Sequence, residues 1–239
     1  MNSITSRKTS RCLLGATAVL TLGFAHLGNA AILASFEFDG TIASLDSTVA
    51  PADLTVSAFG NAGNTTDAAF GFAPRFGSDP NYAYWVPDSV GEPGGTGDGV
   101  HTSAENLSDN EYMGFTITAD PGFAITLDDI DFRASRNGGG GAINLLDLYT
   151  SVNDGAFVKI GDTLSLGDAS NPGVTNRDLT SIVGAQKVEF AFVFFNGNNN
   201  RGYLDDIVLN GSVVIPEPNA FHFVALSGLS LMLLGRRRR

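Results

Sequence analysis

An all-β fold, a single antiparallel β-sandwich, is predicted for residues 31–214 on three observations. The chain there is built of short runs with period-two alternation. Clusters of Gly, Asn, Asp and Pro separate them, and no amphipathic helix longer than two turns interrupts them. The first run is ILASFEFDG (32–40), followed by LTVSAFG (54–60) and the aromatic YAYWV (82–86). Next come MGFTITA (113–119) and ITLDDIDFRAS (125–135), in which alternation places Ile130, Phe132 and Ala134 on one face and Asp129, Asp131 and Arg133 on the other. INLLDLYTSV (143–152) and FVKIGDTLSL (157–166) flank VNDGAF, where Asp-Gly signals a hairpin turn. QKVEFAFVFFN (186–196), whose Phe192, Phe194 and Phe195 read as core, and YLDDIVLNGSVV (203–214) complete the set. GEPGGTGDGVH (91–101) reads as an exposed loop and NGGGG (137–141) as a flexible hairpin loop. With no Gly-Lys-Ser/Thr and no helix after it, NGGGG is not a phosphate cradle. LDDIDFRAS (127–135) and LDDIVLNGS (204–212) echo one another, which indicates two similarly built strands rather than a repeat.

The ends differ from this domain. Residues 1–30 carry Arg7, Lys8 and Arg11, an apolar stretch from Leu13 to Leu27, and small residues at Gly28 and Ala30. That order reads as a signal peptide cut after Ala30 or Ala31. Cys12 is the only cysteine, so the exported chain forms no disulfide. Between residues 31 and 215 stand seven bases against 24 of the 25 acids, a net charge of about −17. Such a surface repels nucleic acid and anionic lipid and favours divalent cations.

The other end reads VIPEPNAFHFVALSGLSLMLLGRRRR (214–239). The apolar run Ala220–Leu234 is 15 residues long, about 22 Å as a helix, against a hydrocarbon core of about 30 Å. It is a marginal transmembrane helix. Arg236, Arg237, Arg238 and Arg239 would stop translocation and hold the terminus in the cytoplasm. Pro216 and Pro218 keep the strip around Glu217 extended and accessible.

This order of parts, with VIPEP, an apolar segment and RRRR, resembles the PEP-CTERM sorting signal of exopolysaccharide-producing Gram-negative bacteria. The resemblance implies that 215–239 is a sorting signal with Pro216, Glu217 and Pro218 as its motif, read by an exosortase, an integral-membrane cysteine transpeptidase-like enzyme. It also implies export, transient anchoring in the inner membrane, and a final place in the cell envelope or outside the cell. GYLDDIVLNGSVVIPEP, LDDIDFRAS and LYTSVNDGAF are similar to the jelly-roll-like sandwiches carried by such proteins, among which small carbohydrate-binding sandwiches hold a structural calcium near their terminal strands.

Candidate chemistry is sparse. His101 is the one histidine of the domain, so there is no histidine cluster for zinc and a Ser-His-Asp triad would rest on that residue alone. Glu37 and Asp39 close the first strand, and Asp205 and Asp206 open the last. Adjacent carboxylates at the ends of terminal strands, which are often neighbours in jelly-roll sandwiches, can supply calcium ligands; the alternative is that they are solvated acids at strand ends. Tyr82, Tyr84 and Trp85 offer rings for stacking a sugar, or else pack a core strand. The reading that follows is a non-enzymatic, exported envelope or matrix protein associated with exopolysaccharide. The alternatives are a carbohydrate-binding module for a defined glycan and, more distantly, a glycoside hydrolase.

Overall fold

The computed structural model describes residues 31–38, 46–61, 69–75, 79–86, 102–136, 143–167, 173–197 and 202–216, with residues 61, 69–75 and 79–86 described by backbone alone. Residues 1–30, read as a signal peptide, the segments GEPGGTGDGVH and NGGGG, His101, and the chain from Glu217 onward lie outside the described residues. Among the described residues twelve strands and one short helix follow in order: β1 (Ala31–Phe36), β2 (Leu54–Val56), β3 (Gly60–Asn61), β4 (Ala69–Arg75), β5 (Asp79–Val86), α1 (Ser103–Ser108), β6 (Met113–Ala119), β7 (Ala124–Arg136), β8 (Leu145–Val152), β9 (Val158–Ser165), β10 (Val174–Asp178), β11 (Lys187–Phe195) and β12 (Gly202–Val214). They form two antiparallel sheets. Sheet A runs β10-β7-β12-β5-β4, with β1 also on β12, and sheet B runs β2-β6-β11-β8-β9, with β3 on β6. Among the described residues no helix is long and apolar enough to cross a membrane.

The alternation that predicts the strands also builds the core. Phe190, Phe192 and Phe194 of β11 are fully buried, as are Ile130 and Phe132 of β7. Phe132 meets Phe192 edge-on at 5.2 Å across the sheets, and Phe36 meets Phe115 at 4.7 Å. Phe195 falls on the opposite face from Phe192 and Phe194 and is half-buried, so it is not part of the aromatic core. Gly202 is required where it stands, because a Cβ there would lie 2.2 Å from the Phe194 ring.

The two echoing segments prove to be adjacent antiparallel partners. Leu204 pairs with Ala134 and Gly211 with Leu127, and bulges at Asp206–Ile207 and Asp128 interrupt the ladder. The first and last strands are neighbours, with Phe36 opposite Ile207.

Two expectations require correction. NGGGG follows β7 of sheet A and precedes β8 of sheet B, so that connection crosses between sheets and is not a hairpin. The β8–β9 hairpin does exist, yet its positive-φ residues are Asn153 (51°) and Asp154 (59°) rather than Asp-Gly. The Gly155 N–H closes that turn on the Val152 carbonyl at 3.0 Å, and two left-handed central residues make it a type I′ turn.

A candidate ligand groove on sheet B

Sheet B buries one face in the core, and the other is not simply wet. On β11 the outward positions are Glu189, Ala191 and Val193, since Phe190 and Phe192 point inward. Ala191 lies between Gly114 of β6 and Tyr149 of β8, so the floor there is low. Tyr112 and Phe157 fill that low ground in an edge-to-face contact at 5.6 Å. With Leu107, Tyr149, Ala191 and Val193 they make a second, small apolar cluster on the outside of the sheet.

Helix α1 sits against this cluster. Thr102 caps it: the Glu105 N–H donates to Thr102 Oγ1 at 3.3 Å, and the Thr102 N–H donates to Glu105 Oε2 at 2.8 Å. Its inner side is polar. Ser103 Oγ donates to Asp147 at 2.6 Å and bonds the Tyr149 hydroxyl at 2.8 Å. Asn106 donates to the Phe194 carbonyl at 2.9 Å. Asp147 is 2% exposed, and Lys159 completes its pairing at 2.9 Å. A carboxylate buried that deeply requires such partners, since an unpaired buried charge is strongly destabilising.

Beside Tyr112 opens a groove of about 180 Å³, lined by Ser57, Ala58, Gly60, Tyr112, Thr116 and Glu189, with the Gly114–Phe190 backbone as its floor. The 57–60 segment is tied to β6 from both directions: the Ser57 N–H donates to the Thr116 carbonyl, and the Thr116 N–H donates to Ser57 Oγ, each at 2.8 Å. Across the groove the Tyr112 hydroxyl donates to Glu189 Oε1 at 2.8 Å. Burial, that hydrogen bond and the negative charge of Glu189 together push the Tyr112 hydroxyl well above the ordinary phenol range. It therefore stays protonated and keeps donating. A groove of this size lies below the range for drug-sized ligands and suits one ring.

The residues singled out by sequence are dispersed. Pro216 is exposed just past the end of β12, while Glu217, Pro218 and Arg236, Arg237, Arg238 and Arg239 lie outside the described residues. Glu37 is exposed one residue past the Phe36–Ile207 pair that ends the β1–β12 ladder, and Asp39 lies outside the described residues. Asp205 is buried. Asp206, at φ 48°, is ion-paired to Arg133 at 3.0 Å. Among the described residues no three acids, histidines or cysteines gather as a metal site. For the aromatic trio, backbone pairing sets Tyr84 opposite Tyr203 and Trp85 opposite Gly202. Adjacent strand positions alternate, so Tyr84 and Trp85 belong to opposite faces of sheet A.

Sequence reading missed Tyr112, Glu189 and the α1 network. A signal for the helix was present in Thr102-Ser-Ala-Glu105, the spacing of a capping box. Tyr112 and Glu189 are 77 residues apart and meet only through the β6–β11 pairing, which no local pattern announces.

No family model matches the chain, and no curated protein matches it. Among solved structures, it is similar to the CBM22-1 xylan-binding domain from Paenibacillus barcinonensis Xyn10C, at 7% identity over 76% of this chain and 95% of that one, with a TM-score of 0.43. It is likewise similar to CBM28, a non-crystalline cellulose-specific carbohydrate-binding module, at 10% identity over 74% and 98% of the two chains, TM-score 0.39. The family 11 carbohydrate-binding module from Clostridium thermocellum is a further one, at 10% identity over 70% and 93%, TM-score 0.34. The two-sheet fold of this chain is defined by its own strand pairing, independently of these likenesses.

Proposed function

We propose that this chain is an exported, non-enzymatic, polysaccharide-associated protein whose jelly-roll-like sandwich binds a sugar ring in the groove between the 57–60 segment and Tyr112. The carrying observation is the Tyr112–Glu189 pair. A protonated phenol fixes one carboxylate oxygen at the edge of a ring-sized groove, leaving the other oxygen to accept from a ligand hydroxyl. Hydrogen-bonding groups held in place before the ligand arrives lower the ordering cost of binding. Glu189 is the one carboxylate among the described lining residues, whereas cleavage of a glycosidic bond ordinarily uses a pair, which supports a binding role over a catalytic one. The resemblance of the tail to a PEP-CTERM signal supports sorting by an exosortase and a final place in the envelope or matrix.

The test is glycan-array binding by the exported protein, beside a Gly60→Leu variant. Gly60 lines the groove, and a Cβ there meets no described atom within 4 Å, so the substitution adds bulk at the groove without a clash at that atom. Binding by the wild type that disappears in Gly60→Leu at unchanged melting temperature is the expected result. Binding that survives the substitution would move the glycan site elsewhere on the molecule.

A further inference from the structure

We infer that the groove selects an amine-bearing sugar ring, a hexosamine with a free ammonium group, over neutral and acidic sugars. This rests on the proposal that the groove is a sugar site, and it concerns which sugar. The charge of the groove is the first argument. Its described lining contains Glu189 and no lysine, arginine or histidine. The cation nearest along β11, Lys187, is held chiefly by Asp154 at 2.6 Å, and the charge of Glu189 acts on it only as the smaller influence. The phenol of Tyr112 donates to Oε1 and stays neutral, so it fixes the carboxylate without cancelling its charge.

The hydrogen-bond inventory is the second argument. An ionised carboxylate accepts and never donates, so a ligand group that only donates is its best complement. A hydroxyl meets this with one neutral hydrogen bond, whereas an ammonium meets it with a charge-assisted one, about twice as strong. A uronic acid would set like charges against each other at contact distance. Acetylating the amine would remove the charge and enlarge the substituent in a groove of about 180 Å³.

The experiment is an amide chemical-shift titration of the isotope-labelled exported protein at pH 6.5 with glucosamine, glucose, N-acetylglucosamine, glucuronate and free lysine. Glu189→Gln and Gly60→Leu are titrated in parallel. Glucosamine should shift Gly60, Gly114, Thr116 and Glu189 with about tenfold tighter affinity than glucose. Glu189→Gln, which keeps an acceptor for Tyr112 but turns the ligand-facing oxygen into an amide donor, should weaken glucose somewhat and glucosamine far more, which brings that ratio to near one. Gly60→Leu should abolish both. Equal affinity for glucosamine and glucose in the wild type would overturn the amine preference and leave the sugar site standing. Free lysine binding as tightly as glucosamine would show plain ion pairing and overturn the part played by the ring. No shift at these residues with any sugar would overturn the groove itself.

Discussion

At the residue scale, Tyr112 carries the clearest consequence. Its neutral form is favoured in the folded state by burial and by the hydrogen bond and negative charge of Glu189. A group whose folded pKa lies above its unfolded value contributes stability that is complete below the unfolded pKa, about 10 for a phenol, and is lost as pH rises beyond it. Tyr112→Phe keeps the contact with Phe157 and the apolar cluster but removes the donor to Glu189. It should cost about 1 kcal/mol near neutrality. The cost should shrink as pH passes about 10, where the wild type alone loses this contribution. Ultraviolet titration checks the same group: the folded wild type should contain a tyrosine that ionises later than the rest, and Tyr112→Phe should lack it. A late-ionising tyrosine that persists in the variant would assign the shift to another residue.

At the element scale, the β8–β9 hairpin shows how local chemistry and tertiary contacts divide the work. Asp154-Gly155 is the strongest turn signal in VNDGAF, yet the left-handed pair sits one residue earlier. The side chain of Asn153 explains the shift, because it accepts from the backbone N–H groups of Gln186 and Lys187 at 2.8 and 3.0 Å. Lys187 pairs with Asp154 as well. The turn is thus locked to the start of β11, and its register follows that lock rather than the best local dipeptide. Asn153→Ala loses both acceptor contacts and places a Cβ-bearing residue without a compensating side-chain bond at positive φ; a loss of about 2 kcal/mol is expected. Asn153→Gly keeps the conformation and should lose about half of that. Equal denaturation midpoints for wild type and Asn153→Ala would show that the lock contributes nothing. What the sequence did and did not reveal follows similar lines. MGFTITA (113–119) is legible to the residue, because its alternation is unbroken and turn residues follow it. VTNRD of β10 is an edge strand with exposed and half-buried positions and a single apolar residue, so it reads as loop. AFGFAPR of β4 hides behind Gly71 and Pro74, and Pro74 is tolerated because it lies in an edge strand where the register shifts between Ala73 and Arg75. The candidate groove was illegible for a different reason: Tyr112 and Glu189 are ordinary residues until strand pairing brings them together.

At the scale of the whole molecule, charge and chain layout complement one another. Several acids on the outer side of sheet A are neutralised or tied within the fold: Asp206 by Arg133, Asp131 by Asn176, and Asp129 by Asn210. The sandwich therefore tolerates its large negative charge locally while remaining strongly acidic overall, which keeps copies apart in solution. Where the fold stops is equally informative. β12 ends at Val214, Ile215 is 71% exposed, and Pro216 is exposed after it, so the Pro-Glu-Pro strip begins where the sandwich ends. If the strip is a sorting motif, its first residue, Pro216, is reached without unfolding any strand. The apolar run that follows is short for a permanent span, and stable insertion would call for about 20 residues. A brief hold during processing is consistent with both facts. In a host with the matching enzyme, intact mass of the mature protein should correspond to a chain starting near Ala31 and lacking Arg236, Arg237, Arg238 and Arg239. A doubly substituted chain, Pro216→Ala with Glu217→Ala, should accumulate as full-length membrane-bound precursor, while its sandwich keeps the wild-type melting temperature because both positions lie beyond β12. Mature wild-type protein that retains Arg239 would show instead that the tail is a plain anchor, and that the Pro-Glu-Pro strip is a linker rather than a recognition element.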